Sequence, residues 1–336
     1  MENNRILVVT PSPNESWTWL SHHFAPGRYR WTFLRADAVH KGRSALIPHA
    51  FKAARSARQH DLVVTFGPWL TLFTATFMLA LRVRRPHLAF TFNHGNGRFF
   101  SGPFLALARM VLPTVSAFVT HSRYERSLLG KKYGIPERKM LFTHWAVAVP
   151  ETGRRSVDYV PDGQYVCCIG RNNRDLLTFV EAVRKTDIEA ILICNPGQAE
   201  GLDLPNTVTL RTDVPVAECQ EVMDRAMATV VPLVDDTTGA GHMTIVASLL
   251  CGTPVIATDS PVLSDYVIED RTGALVERGS SDALAAAIKR LQRDPELRDR
   301  LRASSRAFAM EHLTEASAAE FCRRTLEDFL PRGPQS

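Results

Sequence analysis

Short runs of β-branched and aliphatic residues alternate with amphipathic stretches along nearly the whole chain. A buried parallel strand reads as an apolar run and a covering helix as a period near 3.6, so the alternation predicts parallel sheets clad in helices. In the first half, strands are expected at 6–10, 31–34, 62–66, 88–92 and 117–120, with helical stretches near 17–24, 50–58, 70–82, 104–110 and 124–133. A second series of strands follows at 165–169, 190–194, 207–210, 228–232, 254–257 and 274–276. Its helices fall near 176–185, 216–226, 243–251 and 282–293, and residues 318–329 carry a helical apolar face. Between the two series, VPETGRRSVDYVPDG (149–163) is polar, rich in Pro and Gly, and without apolar periodicity, which marks a linker. The expected fold class is α/β, with two doubly wound Rossmann-like domains facing across a cleft. Their bounds are 1–150 and 151–312, followed by a C-terminal helix in 313–336 able to pack back on the first domain. In such sheets the ligand lies at the carboxyl ends of the strands.

Charge changes this picture. The net charge is +5, yet residues 1–150 hold 20 Lys and Arg against 6 Asp and Glu, and the remainder holds 20 against 29. A first half this basic suits an anionic partner, a nucleic acid or the acidic leaflet of a membrane. No nucleic-acid motif accompanies it, so no nucleic acid is expected. Lys52, Arg55 and Arg58 recur at helical spacing, and Arg82, Arg84 and Arg85 close an apolar helix. The chain runs into a strand directly from its first residues, without the n- and h-regions of a signal peptide. Its longest uncharged stretch, 62–81, is interrupted by Gly67 and Pro68, leaving a helix shorter than the ~20 residues a membrane span needs. A cytoplasmic protein is expected, peripheral at most on the cytoplasmic membrane face. All six cysteines lie in the second half, without C-x-x-C or zinc spacing, and read as buried free thiols.

Candidate chemistry concentrates in 231–276. A strand is followed by a loop containing Gly239 and Gly241 and by a helix starting near His242 or Met243. The glycines admit a close ligand, and free N–H groups at a helix start attract phosphate. The segment C-G-T-P-V-I-A-T-D-S and the turn D-R-T-G-A-L-V come next. With these, the sequence resembles the retaining GT-B glycosyltransferases of family 4. Gly252, Pro254, Val255 and Ile256 match that family's G-x-P-V-I, while Thr272, Gly273, Leu275 and Val276 match its T-G-x-L-V turn. Asp282, Ala283, Leu284 and Ala285 match the opening of its next helix. Upstream, Gly170 and Arg171 match its G-R pair, and Arg174 stands where a second cation could hold a donor diphosphate. The stretch containing Val214 resembles the one whose backbone contacts the base. In the first half, the G-I-P segment at 134–136 fits more loosely, and His94 occupies a strand end where the family often places a histidine beside the transferring sugar.

The resemblance implies a GT-B hexosyltransferase that moves a sugar from a nucleoside diphosphate to an acceptor hydroxyl with retention, in glycan biosynthesis. The acceptor would be a lipid-linked acceptor, a glycan or its precursor, or a small molecule. His94, Arg171 and Arg174 would serve catalysis. Gly170, Arg171, Arg174, Val214, Gly239, Gly241, His242, Met243 and Thr244 would bind the donor. No metal or other cofactor is expected, in keeping with the lack of any D-x-D. The family's paired glutamates align with Gly239 and Ala247, whose side chains hold no hydroxyl; Asp235, Asp236, His242 or Thr244 could substitute. Leu249 and Leu250 replace smaller residues, and PSPNESWTW, with Asn14, Glu15 and Ser16, replaces a Gly-rich first loop. The alternative is a catalytically silent GT-B-fold protein that binds nucleotide sugars. A dinucleotide oxidoreductase is disfavoured because ILVVTPSPNE lacks G-x-G-x-x-G, and an epimerase of the same fold lacks its own histidine and acid pattern.

Overall fold

The computed structural model describes residues 4–37, 42–92, 100–153, 157–161, 164–235 and 239–330. Two compact units emerge, one comprising Met1–Thr143 with Ala318–Ser336 and the other His144–Ser317.

In the first unit six parallel strands stand in the order β2-β1-β3-β4-β5-β6. They are β1 (Asn4–Thr10), β2 (Tyr29–Arg35), β3 (Leu62–Phe66), β4 (His87–Phe90), β5 (Ala117–Thr120) and β6 (Met140–Phe142). Helices α1 (Leu46–Ser56), α2 (Pro68–Ala80), α3 (Pro103–Val111) and α4 (Arg123–Tyr133) join them. The two-residue period of β1 sorts its side chains between two layers. Ile6 and Val8 pack with Phe24, Tyr29, Cys322 and Leu326, whereas Leu7 and Val9 pack with Ala50, Ala53 and Ala54 of α1 and Leu70 of α2. Cys322 and Leu326 belong to the last helix, α10 (Glu315–Phe329).

Two local expectations are corrected here, and one strand was not expected. Residues 17–24 form no α-helix, only a 3-10 turn at Ser21–His23. Trp19 sits at φ 53°, and Trp17 and Trp19, two residues apart, both meet Phe66, with ring centroids 5.0 and 5.6 Å away. Trp19 lies in a turn, and packing of both rings on Phe66 holds this segment on an irregular, non-helical path. Strand β4 stops at Phe90 because Thr91 turns to φ 50°. The three-residue β6, too short to show alternation in sequence, completes the sheet edge.

The second unit is also all parallel, in the order β12-β11-β10-β7-β8-β9. Its strands are β7 (Tyr165–Ile169), β8 (Glu189–Cys194), β9 (Val208–Thr212), β10 (Ala228–Val231), β11 (Val255–Thr258) and β12 (Gly273–Val276). Its helices are α5 (Leu176–Thr186), α6 (Val216–Arg225), α7 (His242–Cys251), α8 (Ser281–Arg293) and α9 (Pro295–His312). Side-chain oxygens of Asp175, Ser280 and Asp294 accept the free N–H groups at the starts of α5, α8 and α9. All six cysteines are free thiols, five of them buried. Burial pushes Cys167 and Cys168 up to about 12, so both stay neutral and act as small apolar residues.

The T-G turn has a mechanical role. The buried Thr272 hydroxyl accepts Ile268 N at 2.7 Å and donates to Tyr266 O at 2.8 Å. A Cβ on Gly273 would lie 1.7 Å from Val255 O, so no side chain fits where β12 meets β11.

Candidate functional site

Strand order places the site. From β7 the chain builds outward through β8 and β9, then returns to the other side of β7 with β10. The connections leaving β7 and β10 therefore diverge, which opens the crevice where doubly wound sheets hold ligands. Here the two connections are tied together. Asn173 Nδ2 donates to Asp235 O at 2.7 Å, Asp235 N donates to Asn173 Oδ1 at 2.9 Å, and Asp175 N reaches Pro232 O at 3.1 Å.

Arg174 leaves the first connection and turns its guanidinium under the crevice. Nη1 donates to Asn172 O at 3.0 Å, and Nη2 donates to the Thr244 hydroxyl at 3.2 Å and to Ile169 O at 3.4 Å. Two glycines make the room. A Cβ at Gly170 would fall 2.5 Å from Arg174 Nε, and one at Gly241 would lie 3.0 Å from Val231 Cγ1 and 3.7 Å from both terminal nitrogens of Arg174. Gly241 also takes φ 97° as the N-cap of α7, a conformation that side chains disfavour. Arg174 Nε is enclosed and makes no hydrogen bond, and no carboxylate pairs with this guanidinium among the described residues. Burial lowers its pKa from the ordinary arginine value. A half-buried cation whose partners are all neutral, one turn from a helix start, is an electrostatic arrangement suited to an anion.

The remaining expected residues distribute around it. Thr244 joins Arg174 to the end of β7, its hydroxyl also lying 3.2 Å from Ile169 O. Met243 is exposed on the first turn of α7. His242 is buried against the Tyr266 ring at 4.8 Å, and its Nε2 makes no hydrogen bond. Desolvation pushes its pKa down to about 4, so the ring is neutral at pH 7 and suits a hydroxyl better than a phosphate. Arg171 is exposed beside Gly170, its backbone carbonyl held by Gln198. Val214 follows β9 on the same rim, but its side chain is buried in the core with Val222 and Met223. Gly239 precedes the cap of α7, and Ala247 packs against an apolar cluster, so neither position offers a carboxylate. His94 and Asp236 lie outside the described residues.

In the first unit, Asn14, Glu15 and Ser16 are exposed, and the Arg35 guanidinium holds the carbonyls of Asn14 and Glu15 at 3.0 and 3.1 Å. His121, at the end of β5, was not singled out from the sequence. It is buried, with Nδ1 3.1 Å from Thr143 O and Nε2 3.4 Å from the Thr91 hydroxyl. The signal was available, since AFVTH places a histidine where an apolar run ends. Thr91 holds a left-handed backbone that a β-branched residue seldom adopts.

The fold has counterparts among known proteins. Residues 196–308 match the model of the family "Glycosyl transferases group 1". No protein of curated function matches the chain by sequence. Among solved structures, Alr3699/HepE of Anabaena in complex with UDP is similar at a TM-score of 0.76 and 16% identity, over 96% of this chain and 100% of that one. Sucrose-phosphate synthase of Thermosynechococcus elongatus is similar at 0.74 and 16%, over 97% and 100%. The UDP-forming α,α-trehalose-phosphate synthase of Burkholderia vietnamiensis is similar at 0.68 and 11%, over 97% and 100%. Two six-stranded parallel sheets with these structural counterparts give the chain the GT-B fold.

Proposed function

We propose that the protein is a retaining glycosyltransferase that takes a hexose from a nucleoside-diphosphate sugar and passes it to an acceptor hydroxyl in glycan biosynthesis. The observation that carries this reading is the Arg174 guanidinium, which has only neutral hydrogen-bond partners and a place at the switch between β7 and β10. A diphosphate there would meet Arg174, the exposed Arg171 and the first turn of α7. As the glycosidic bond breaks, charge grows on the leaving diphosphate, and fixed cations stabilise that charge more than the ground state. These side chains would take the role that a metal plays elsewhere. His242 and Thr244 would hold neutral hydroxyls of the donor, and His94 would serve the transferring sugar. The acceptor, a lipid-linked acceptor, glycan precursor or small molecule, would belong to the basic first unit.

The UDP in the Anabaena structure makes a UDP-sugar the first candidate donor. A thermal-shift series with UDP, GDP and ADP, followed by assay of diphosphate release from the matching sugars, tests the proposal. Stabilisation by one nucleotide and acceptor-dependent release are expected; no response to any of the three would overturn it. The apolar setting of Ala247 favours one second reading, a silent nucleotide-sugar binder. Stabilisation without release in the presence of any acceptor would select it.

A further inference from the structure

One helical face of the first unit combines exposed apolar side chains with cations. Its exposed large hydrophobic residues, among those described, are Ile47 at 43%, Phe51 at 41%, Leu79 at 49%, Phe104 at 44% and Met110 at 63%. All five lie on α1, α2 and α3. Ring contacts link these helices: Phe51 meets Phe77 at 5.4 Å, and Trp69 and Phe73 meet Phe104 at 5.1 and 6.4 Å. On α1 the pattern is graded. Ile47 and Phe51 are followed at helical spacing by Arg55, and Arg58 stands in the 3-10 turn Ala57–Gln59 directly after α1, so the stripe passes from apolar to cationic.

Charge on this face has a single sign. Between residues 42 and 114 the only acidic residue is Asp61, which is bound to Arg5 at 3.2 Å. The same segment carries Arg43, Lys52, Arg55, Arg58, Arg82, Arg84, Arg85 and Arg109, all exposed. None of these eight has a carboxylate within ion-pair distance among the described residues. Arg43 lies over the Trp69 ring at 4.8 Å, Arg58 donates to Leu81 O, and Arg109 donates to Lys132 O. Their long stems can lie along the apolar seam while the heads reach outward. Scattered exposed apolar residues are ordinary on a soluble protein, but a set joined by ring contacts and rimmed by cations that form no ion pair marks a surface with a partner.

From this complementarity we infer that the face formed by α1, α2 and α3 docks on the headgroup region of an anionic lipid bilayer. The apolar side chains would enter the interface while Lys and Arg meet lipid phosphates, the division of labour of interfacial amphipathic helices. No described helix is long and apolar enough to cross a membrane, so the attachment would be peripheral and reversible. The inference names the anionic surface toward which the basic first unit works. It rests on that unit's surface alone and would stand if the donor assignment failed.

Co-sedimentation of the full chain tests it, with vesicles of pure phosphatidylcholine and vesicles of equal parts phosphatidylcholine and phosphatidylglycerol. Binding to the anionic vesicles alone is expected, declining as salt rises. Joint reversal of three exposed cations (K52E, R55E, R58E) should weaken it by at least about a hundredfold. The pair Ile47→Ser and Phe104→Ser should weaken it without altering the salt dependence, while Val216→Ser, on the second unit, should leave it unchanged. Melting of each variant and its response to nucleotide show separately that the fold and the second unit are intact. Failure of the wild type to sediment with anionic vesicles would overturn the inference, as would equal binding of the charge-reversed and wild-type chains. Self-association abolished by Ile47→Ser and Phe104→Ser, in a chain that ignores vesicles, would also overturn it and assign the face to a second copy.

Discussion

Replacing Arg174 with Met keeps an unbranched stem and removes the charge and all five donors. Two effects then oppose each other in the free protein. The variant loses three hydrogen bonds to neutral acceptors, Asn172 O, Ile169 O and Thr244 Oγ1, together about 3 kcal/mol at a net 1 kcal/mol each. It also removes a half-buried cation that has no carboxylate and an enclosed unsatisfied Nε, a burden of several kcal/mol for a desolvated unpaired charge. The free protein should therefore be nearly as stable as the wild type, or more so. Ligand binding has no such compensation. Losing one charge-assisted bond to a diphosphate costs about 1.5–3 kcal/mol, which weakens affinity roughly 10- to 150-fold. Calorimetric titration with the preferred nucleoside diphosphate and melting with and without it read the two effects separately. Unchanged melting of the free chain with a lost ligand-induced shift is expected. Wild-type affinity would refute the phosphate assignment, and a collapsed fold would refute the claim that this charge is uncompensated.

Gly273→Ala should destabilise the second unit by more than about 3 kcal/mol, because the new methyl group would meet the backbone at Val255 O; melting near wild type would contradict this. Gly170→Ala should displace the Arg174 guanidinium rather than the backbone and weaken diphosphate binding with little loss of stability, as titration and melting can show. Burial lowers His87 to about 3 and His242 to about 4. Both folded values lie below the unfolded value of 6.5, so their contribution to stability is complete above pH 6.5 and is lost as pH falls toward 4 and then 3. Each contributes up to about 1.4 kcal/mol per pH unit within its window. Urea unfolding at pH 7 and pH 5 should show the decline, and His87→Gln should flatten it. His94→Ala should impair sugar transfer more than nucleotide binding, and unchanged turnover with a defined acceptor would remove His94 from the site.

Much of the second unit was legible because its central strands are uninterrupted apolar runs bounded by polar turns. Tyr165–Ile169 has the bounds read from the sequence, and α7 begins at His242, one of the two starts allowed. The first unit was harder to read where aromatic packing overrides local pattern. Trp17 and Trp19 resemble part of a helix in the sequence, but both rings pack on Phe66 from an irregular, turn-rich segment. Gly170, Arg174, Gly241 and Thr244 were each visible as candidates, but their dependence on one another was not. That Arg174 fills the space of two missing side chains follows from β10 returning beside β7, a pairing 62 residues distant in sequence. The T-G turn was read as a family mark; its contacts reveal a steric constraint at Gly273 and a hydroxyl staple at Thr272. His121 was missed because its proximity to Thr91 depends on adjacent strands, not on adjacent residues.

The most direct test of the central claim is a crystal structure of the chain with the nucleoside diphosphate that stabilises it. The expected result is a diphosphate in the crevice between β7 and β10, with the Arg174 guanidinium and the first turn of α7 within hydrogen-bond distance of its oxygens. A nucleotide bound elsewhere, with Arg174 still held only by Asn172, Ile169 and Thr244, would contradict it.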